Sequence, residues 1–371
     1  MKPTGRLRRW ARRFGLGAAI LLLFLALPIV WIEGVCRAPN DANVRNVNQA
    51  SMLADEPGYA RPEINSYLSF PEWHIVYIYE DFAGVLSAGD ASNFAYGRPI
   101  AAFWRGLCEL NRIVSNRAES AFGTKVMLYT IGWSITVELA LKGAYEETIG
   151  RLFEWTRGPE KTPEDIFIEK DADAYAQFLR QAPWYEYPFA ARLGAFWRQT
   201  PFWGRDLARK VERRVAFSLE YGLKAGYAAL IKNATAATLG PAELKIKTVI
   251  VGLVPEDLVA DPRIQPVREL EPGRTLILTP RYRAYTETIV GLARRGRDIT
   301  EIAGNDDVLM TVLAPPGALA AGEGARELFT VFIQSRPGIR RIGLDVRVAR
   351  LAETIRVLES RGIAIEHIYD Y

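Results

Sequence analysis

The sequence predicts a chain in three parts: a single-pass membrane anchor, an all-α aromatic-rich domain, and a C-terminal α/β domain of ferredoxin-like type built from two tandem β-α-β units. An uncharged run near the N-terminus, a sharp fall in aromatic content past residue 203, and an internal repeat in the last third carry that prediction.

The first part opens on a basic tail, residues 1–13, with Lys2, Arg6, Arg8, Arg9, Arg12 and Arg13 and no acid. Residues 14–32, FGLGAAILLLFLALPIVWI, then carry no charge. As a helix rising 1.5 Å per residue this run reaches about 28 Å, close to the hydrocarbon thickness of a bilayer. A cleaved signal peptide is the alternative. The long apolar core and its boundary at Pro28, Trp31, Ile32 and Glu33 favour a retained transmembrane helix. The cation excess sets the N-terminus in the cytoplasm. The expectation is a single-pass protein of a bacterial inner membrane, a cell-envelope protein with most of the chain in the periplasm. Cys36 and Cys108, the only cysteines, both fall on the exported side, where an oxidising compartment lets them pair as a disulfide. Two unrelated thiols, with Cys108 in a core, are the alternative.

Residues 33–62 read as a linker, polar and rich in Asn, Asp and Pro. All nine tryptophans lie at or before Trp203, and Val, Ile and Thr dominate after residue 240, which divides a helical domain (63–238) from an α/β domain (243–371). In the helical part, Ser69-Phe70-Pro71-Glu72 fits a capping box with Leu68 and Trp73 as its hydrophobic staple. A helix is therefore expected to start there, with Glu72 as a structural group. Lys125–Trp155 carries apolar residues around most of its circumference and reads as a buried helix. Thr162-Pro163-Glu164-Asp165 starts a helix that stops before Pro183, and a long amphipathic helix, basic in its first half, begins near Asp206.

The repeat pairs ETIVGLARRG (287–296) with ETIRVLESRG (353–362), 66 residues apart. Each is an amphipathic helix ended by Gly, with a strand-like run before and after it. GNDD (304–307) reads as a hairpin turn between two strands.

Outside the basic tail the chain is slightly acidic, so its net charge of +4 does not argue for nucleic-acid binding. Two histidines and two cysteines supply no metal-ligand spacing, and neither a P-loop nor a G-x-S-x-G elbow occurs; no metal or cofactor is expected. His74, Tyr77, Glu80 and Asp81 crowd one stretch of helix and form the candidate catalytic face, a hydrogen-bonded network being the alternative. His367 reads as a satisfied strand histidine. Trp184, Tyr185, Trp197 and Trp203 interleave with Arg198, Arg205 and Arg209, a pattern suited to a ligand or to an anionic membrane surface, with a Trp-packed core beside a solvated basic helix as the alternative. The expectation is an anchored envelope protein whose exported portion binds membrane lipids, a small apolar ligand or an envelope partner protein. A membrane-bound enzyme using the His74 face is the second reading. The sequence does not set the oligomeric state.

Overall fold

The computed structural model describes residues 5–37, 63–115, 122–238, 245–318 and 325–370. Helices come first: α1 (Gly5–Val35), α2 (Glu63–Ala88), α3 (Gly97–Val114), α4 (Phe122–Tyr145), α5 (Arg151–Thr156), α6 (Pro163–Leu179), α7 (Phe189–Gln199) and α8 (Leu207–Thr238). Then follow β1 (Lys245–Val251), α9 (Pro255–Ala260), β2 (Gln265–Glu271), β3 (Arg274–Pro280), α10 (Arg283–Arg294) and β4 (Asp298–Ile302). The chain ends with β5 (Asp307–Ala314), β6 (Ala325–Phe332), β7 (Arg340–Arg347), α11 (Leu351–Ser360) and β8 (Ala364–Ile368).

From Gly5 on, the basic tail and the apolar run form one helix, α1, with Pro28 inside it. Its last turns belong to the protein core. Ile32 is fully buried, the Leu25 carbonyl accepts from Trp133 Nε1 (3.1 Å), and Glu33 accepts from Lys125 (2.9 Å) and Tyr129. Asn111 donates to the carbonyls of Ile32 and Cys36, closing the helix end, and a disulfide joins Cys36 to Cys108 with their Cα atoms 5.1 Å apart. Among the described residues, no helix is long and apolar enough to cross a membrane. This corrects the expected anchor at 14–32, the inner-membrane placement and the periplasmic orientation: the end of the apolar run packs against α3 and α4. The expected linker lies outside the described residues from residue 38 to 62.

Two local readings also change. The helix expected at Ser69 begins at Glu63 and passes through Pro71, and the Ser69 hydroxyl donates back to the Ser66 carbonyl, so SFPE is no cap. By contrast, Thr162 and Asp165 make a reciprocal capping box at the start of α6, each backbone N–H bonded to the other's side chain at 3.2 Å.

The expected single α/β sandwich is instead two four-stranded antiparallel sheets, ordered β2-β3-β1-β4 and β6-β7-β5-β8. The reason is visible in the pairing. Each repeat helix does join two strands, β3 to β4 and β7 to β8, but an earlier strand is inserted between them. β1 pairs with both β3 and β4, and β5 with both β7 and β8, so every neighbouring pair is antiparallel. A tight turn does form at GNDD, the Asn305 N–H bonding the Ile302 carbonyl (2.8 Å) across Ala303 and Gly304, both at positive φ. β4 and β5 lie in different sheets, however, so pairing stops at that bridge and the turn carries the chain across. α10 and α11 share one core with both sheets, through Ile289, Leu292 and Ile355 packed with Ile250, Ile277, Met310 and Leu344.

The two parts of the chain share a second core. Leu309, Phe329 and Tyr369 are buried among α2, α3 and their neighbours. Ser66 of α2 accepts from the Leu309 N–H (3.0 Å) and donates to the Tyr369 carbonyl (2.9 Å). One helical turn past the middle of α2, Asp81 accepts from the backbone N–H groups of Gln334 (2.9 Å) and Ser335 (2.6 Å), holding the β6–β7 connection. Removing the carboxylate leaves two backbone donors without partners. Asp81→Ala is expected to cost about 2 kcal/mol and to speed amide hydrogen exchange at Gln334 and Ser335 more than at Leu309; unchanged exchange at those two amides refutes the role.

Candidate functional site

The four residues expected to form a catalytic face leave α2 for four different partners. His74 is buried between Phe70 and Phe103 and donates from Nε2 to the Pro99 carbonyl (2.9 Å). Burial pushes its pKa down to about 4, the Pro99 bond opposing and Arg341 adding to the shift. Tyr77 hydrogen-bonds Tyr369 hydroxyl to hydroxyl (2.7 Å), beneath the Arg341 guanidinium at 3.6 Å from its ring, and Arg341 is itself bound twice to Glu366 (2.6 and 2.7 Å). Glu80 pairs with Arg180 at the end of α6, and Asp81 holds the β6–β7 connection. His74 and Asp81 therefore serve separate contacts, while Tyr77 and Glu80 border a different cluster.

That cluster lies where α2 meets the β3–α10 turn and the C-terminal strand. Asp370 accepts from the Tyr282 N–H (3.0 Å) and from Arg281 Nε (3.4 Å). Tyr282 has φ of 64°, a left-handed conformation that an aromatic residue rarely adopts, and the Asp370 bond fixes it. Trp73 lies against His367, with ring centroids 3.9 Å apart, and also faces Tyr282. His367 Nδ1 meets Thr286 Oγ1 (3.3 Å), whereas its buried Nε2 has no hydrogen-bond partner among the described residues. Burial takes the His367 pKa down to about 3, helped by Arg180.

Two carboxyls converge electrostatically on Arg281. Burial raises Glu72 to about 7 and Asp370 to about 6, with Arg281 opposing both shifts. The arrangement offers two groups able to exchange a proton near neutrality beside a permanent cation. Sequence reading set Glu72 aside as a cap and had no local signal for Arg281, Tyr282 or Asp370, which are brought in by the sheet topology. Among the described residues, no three His, Cys, Asp or Glu side chains gather as a metal site.

The aromatic-basic segment is divided. Trp184 stacks on Tyr227, and Tyr185 meets Trp184 edge to face (6.1 Å). Trp197 donates to Ser218 (3.0 Å) beside Arg214, while Arg198, Trp203 and Arg205 stand in solvent. Arg209, expected on a surface, is 1% exposed. It binds Asp165 (2.9 Å), Glu212 (3.0 Å) and the Gly150 carbonyl (3.1 Å). Arg213 grips Glu146 through two bonds (3.0 and 2.9 Å), and Arg214 binds Glu164 (3.0 Å) and the Thr200 carbonyl (2.7 Å). Burial alone would raise Asp165, but Arg209 and Thr162 outweigh it and hold the carboxyl low. A π-helical turn at Glu146–Gly150 seats this network, and Gly150 is required there because a Cβ would lie 2.3 Å from Glu146 Oε2.

The consequence is an inverted helix. Arg209, Lys210, Glu212, Arg213, Arg214, Glu220 and Lys224 of α8 all point into the protein. Every exposed position from 207 to 230 is uncharged, with Leu207, Val211, Val215, Leu219, Leu223, Tyr227 and Leu230 outward. α4 lies alongside, tied by Lys142–Glu220 (2.9 Å) and Glu138–Lys224 (2.8 Å), and exposes Val126, Met127, Val137 and Leu141. The helix expected to be buried all round thus has one bare apolar side. α1, tied to α4 through Trp133 and Glu33, exposes Leu23, Leu27 and Val30 in turn.

The Glu72 shift fixes a pH response. A carboxyl whose pKa rises on folding contributes stability that is present below its unfolded value of 4.5 and is lost as pH climbs through about 7. His74 and His367, lowered from 6.5, oppose this by costing stability as pH falls below 6.5. Glu72→Gln, which keeps a neutral polar group, is expected to be more stable than wild type at pH 8 by on the order of 2 kcal/mol. In chemical denaturation the gap should close by about pH 4.5; an equal gap at both pH values refutes the shift. Comparison of the chain with protein-family models, with curated proteins and with solved structures returns no match, so a functional reading rests on this geometry alone.

Proposed function

We propose that the protein is a binding protein whose helical part docks an apolar partner surface through the outer faces of α4 and α8. The observation that carries this reading is the inversion of α8 between 207 and 230: charges turned inward and every exposed position uncharged. Isolated exposed apolar residues are ordinary, but an apolar stripe that recurs turn after turn along one helix, with no charge in it, marks an interaction surface. The His74 side of α2 supports catalysis less well, since Tyr77, Glu80 and Asp81 are engaged in holding other elements.

The reading makes a separable prediction. Val137, Leu141, Leu219 and Leu223 are exposed, so replacing all four with Glu should leave the circular dichroism spectrum of the folded chain nearly unchanged, any fall in melting temperature being that of a lost assembly. The wild type should either enhance the fluorescence of an apolar dye in native buffer or run as an assembly that hides the face. The substituted chain should lose whichever signal the wild type gives. A wild type that neither binds dye nor assembles contradicts the proposal.

A further inference from the structure

We propose that the occupant of this face is a second copy of the same chain, with α8 crossing α8 about a two-fold axis at Gly222 and Gly226. The inference rests on the docking reading above and names its partner.

The two glycines supply the first argument. Each sits inside a helix, where glycine is destabilising by roughly 0.5–1 kcal/mol relative to alanine. Among the described residues nothing accounts for them, because a Cβ at either position would meet no atom within 4 Å. Both are exposed, one turn apart, so their missing side chains leave a notch on the outer surface of α8. Close approach of another backbone explains a notch that internal packing does not.

The ridge beside the notch supplies the second. Leu219, Leu223 and Tyr227 recur every four residues, the spacing whose ridges interlock when two helices cross at about −50°. A two-fold axis through the notch sets each copy's ridge against the other's glycines, so one helix carries both the knob and the hole that an isologous contact needs. A charged partner has nothing to pair with here, since every charge on α8 from Arg209 to Lys224 is turned inward.

Area is the third. At their exposed fractions Leu219, Leu223, Tyr227 and Leu230 near the crossing, with Val137 and Leu141 of α4 tied beside them, present roughly 700 Å², near the ~800 Å² per partner of a standard interface.

Sedimentation of the full chain tests the inference. The wild type should sediment at twice the chain mass. Leu223, 75% exposed, can change without loss of internal contacts, and Leu223→Arg should weaken the dimer at least ~30-fold. Gly226→Leu should weaken it similarly by filling the notch, while raising helix stability. Leu223→Cys should form a disulfide-linked dimer on mild oxidation, and Val259→Arg, an exposed change on α9, should alter nothing. A dimer indifferent to Leu223→Arg and Gly226→Leu overturns the inference. A monomeric wild type that binds the apolar dye, or that floats with phospholipid vesicles, overturns self-association but leaves the docking reading standing. A monomer that binds neither removes both.

Discussion

The ion pairs along the inner side of α8 are the constraint on which the helical part depends. Arg209, Arg213 and Arg214 lie in the interior with Asp165, Glu146, Glu212 and Glu164 around them. Such charges are tolerated only when paired and hydrogen-bonded, because loss of one partner strands the other in a poorly solvated site. The network therefore dictates more than its own contacts. It fixes the rotation of α8 about its axis, recruits the π turn after α4, and needs Gly150 where a side chain would collide with Glu146. It also holds the start of α6, since Asp165 caps that helix through Thr162 while receiving Arg209.

α2 performs the corresponding task between the helices and the sheets. Its polar residues were dense enough in the sequence to look like one reactive centre. In the fold they are spread over an angular range that reaches Pro99, Tyr369, Arg180 and the Gln334–Ser335 backbone in turn. A helix surrounded on several sides needs a polar anchor toward each neighbour, because buried backbone and hydroxyl groups must be satisfied wherever they occur. Satisfaction is incomplete at His74 Nδ1 and at His367 Nε2 among the described residues; the second lies in the cluster with Glu72, Arg281 and Asp370, where two carboxyls are displaced toward neutrality and Tyr282 is held at positive φ.

Local signals in the sequence were readable, and long-range ones were not. Thr162-Pro163-Glu164-Asp165 announced the start of α6 because a capping box is complete within four residues. Ser69-Phe70-Pro71-Glu72 had the same letters and failed, since α2 had already begun at Glu63 and tertiary packing carried it through the proline. The repeat located α10 and α11, but periodicity cannot show that β1 inserts between β3 and β4, which is a matter of pairing across many residues. The apolar run at 14–32 was legible as a helix and misleading as an anchor, because its end is occupied by Asn111, Lys125 and Trp133. Of the site, Glu72 and His367 were named from the sequence, one as a cap and the other as a strand histidine; the pairing of Arg281 with Asp370, 89 residues apart, was not legible.

Orientation of charge along α8 bears on whether its outer face is incidental. Turning the helix over would expose the arginines to water but leave Asp165, Glu164 and Glu146 without counter-charges, so the network forbids it. The network does not, however, require leucine on the outside. Substitutions at such exposed positions usually change stability by no more than about 0.5 kcal/mol, so lysine or glutamate at Leu219, Leu223 or Leu230 would be tolerated by the fold. Their absence from the exposed stretch between 207 and 230 is therefore not explained by folding. Nor are Gly222 and Gly226, which weaken the helix without relieving any internal clash. A surface that folding leaves free to be polar, and that is instead apolar and notched, is shaped by what it meets.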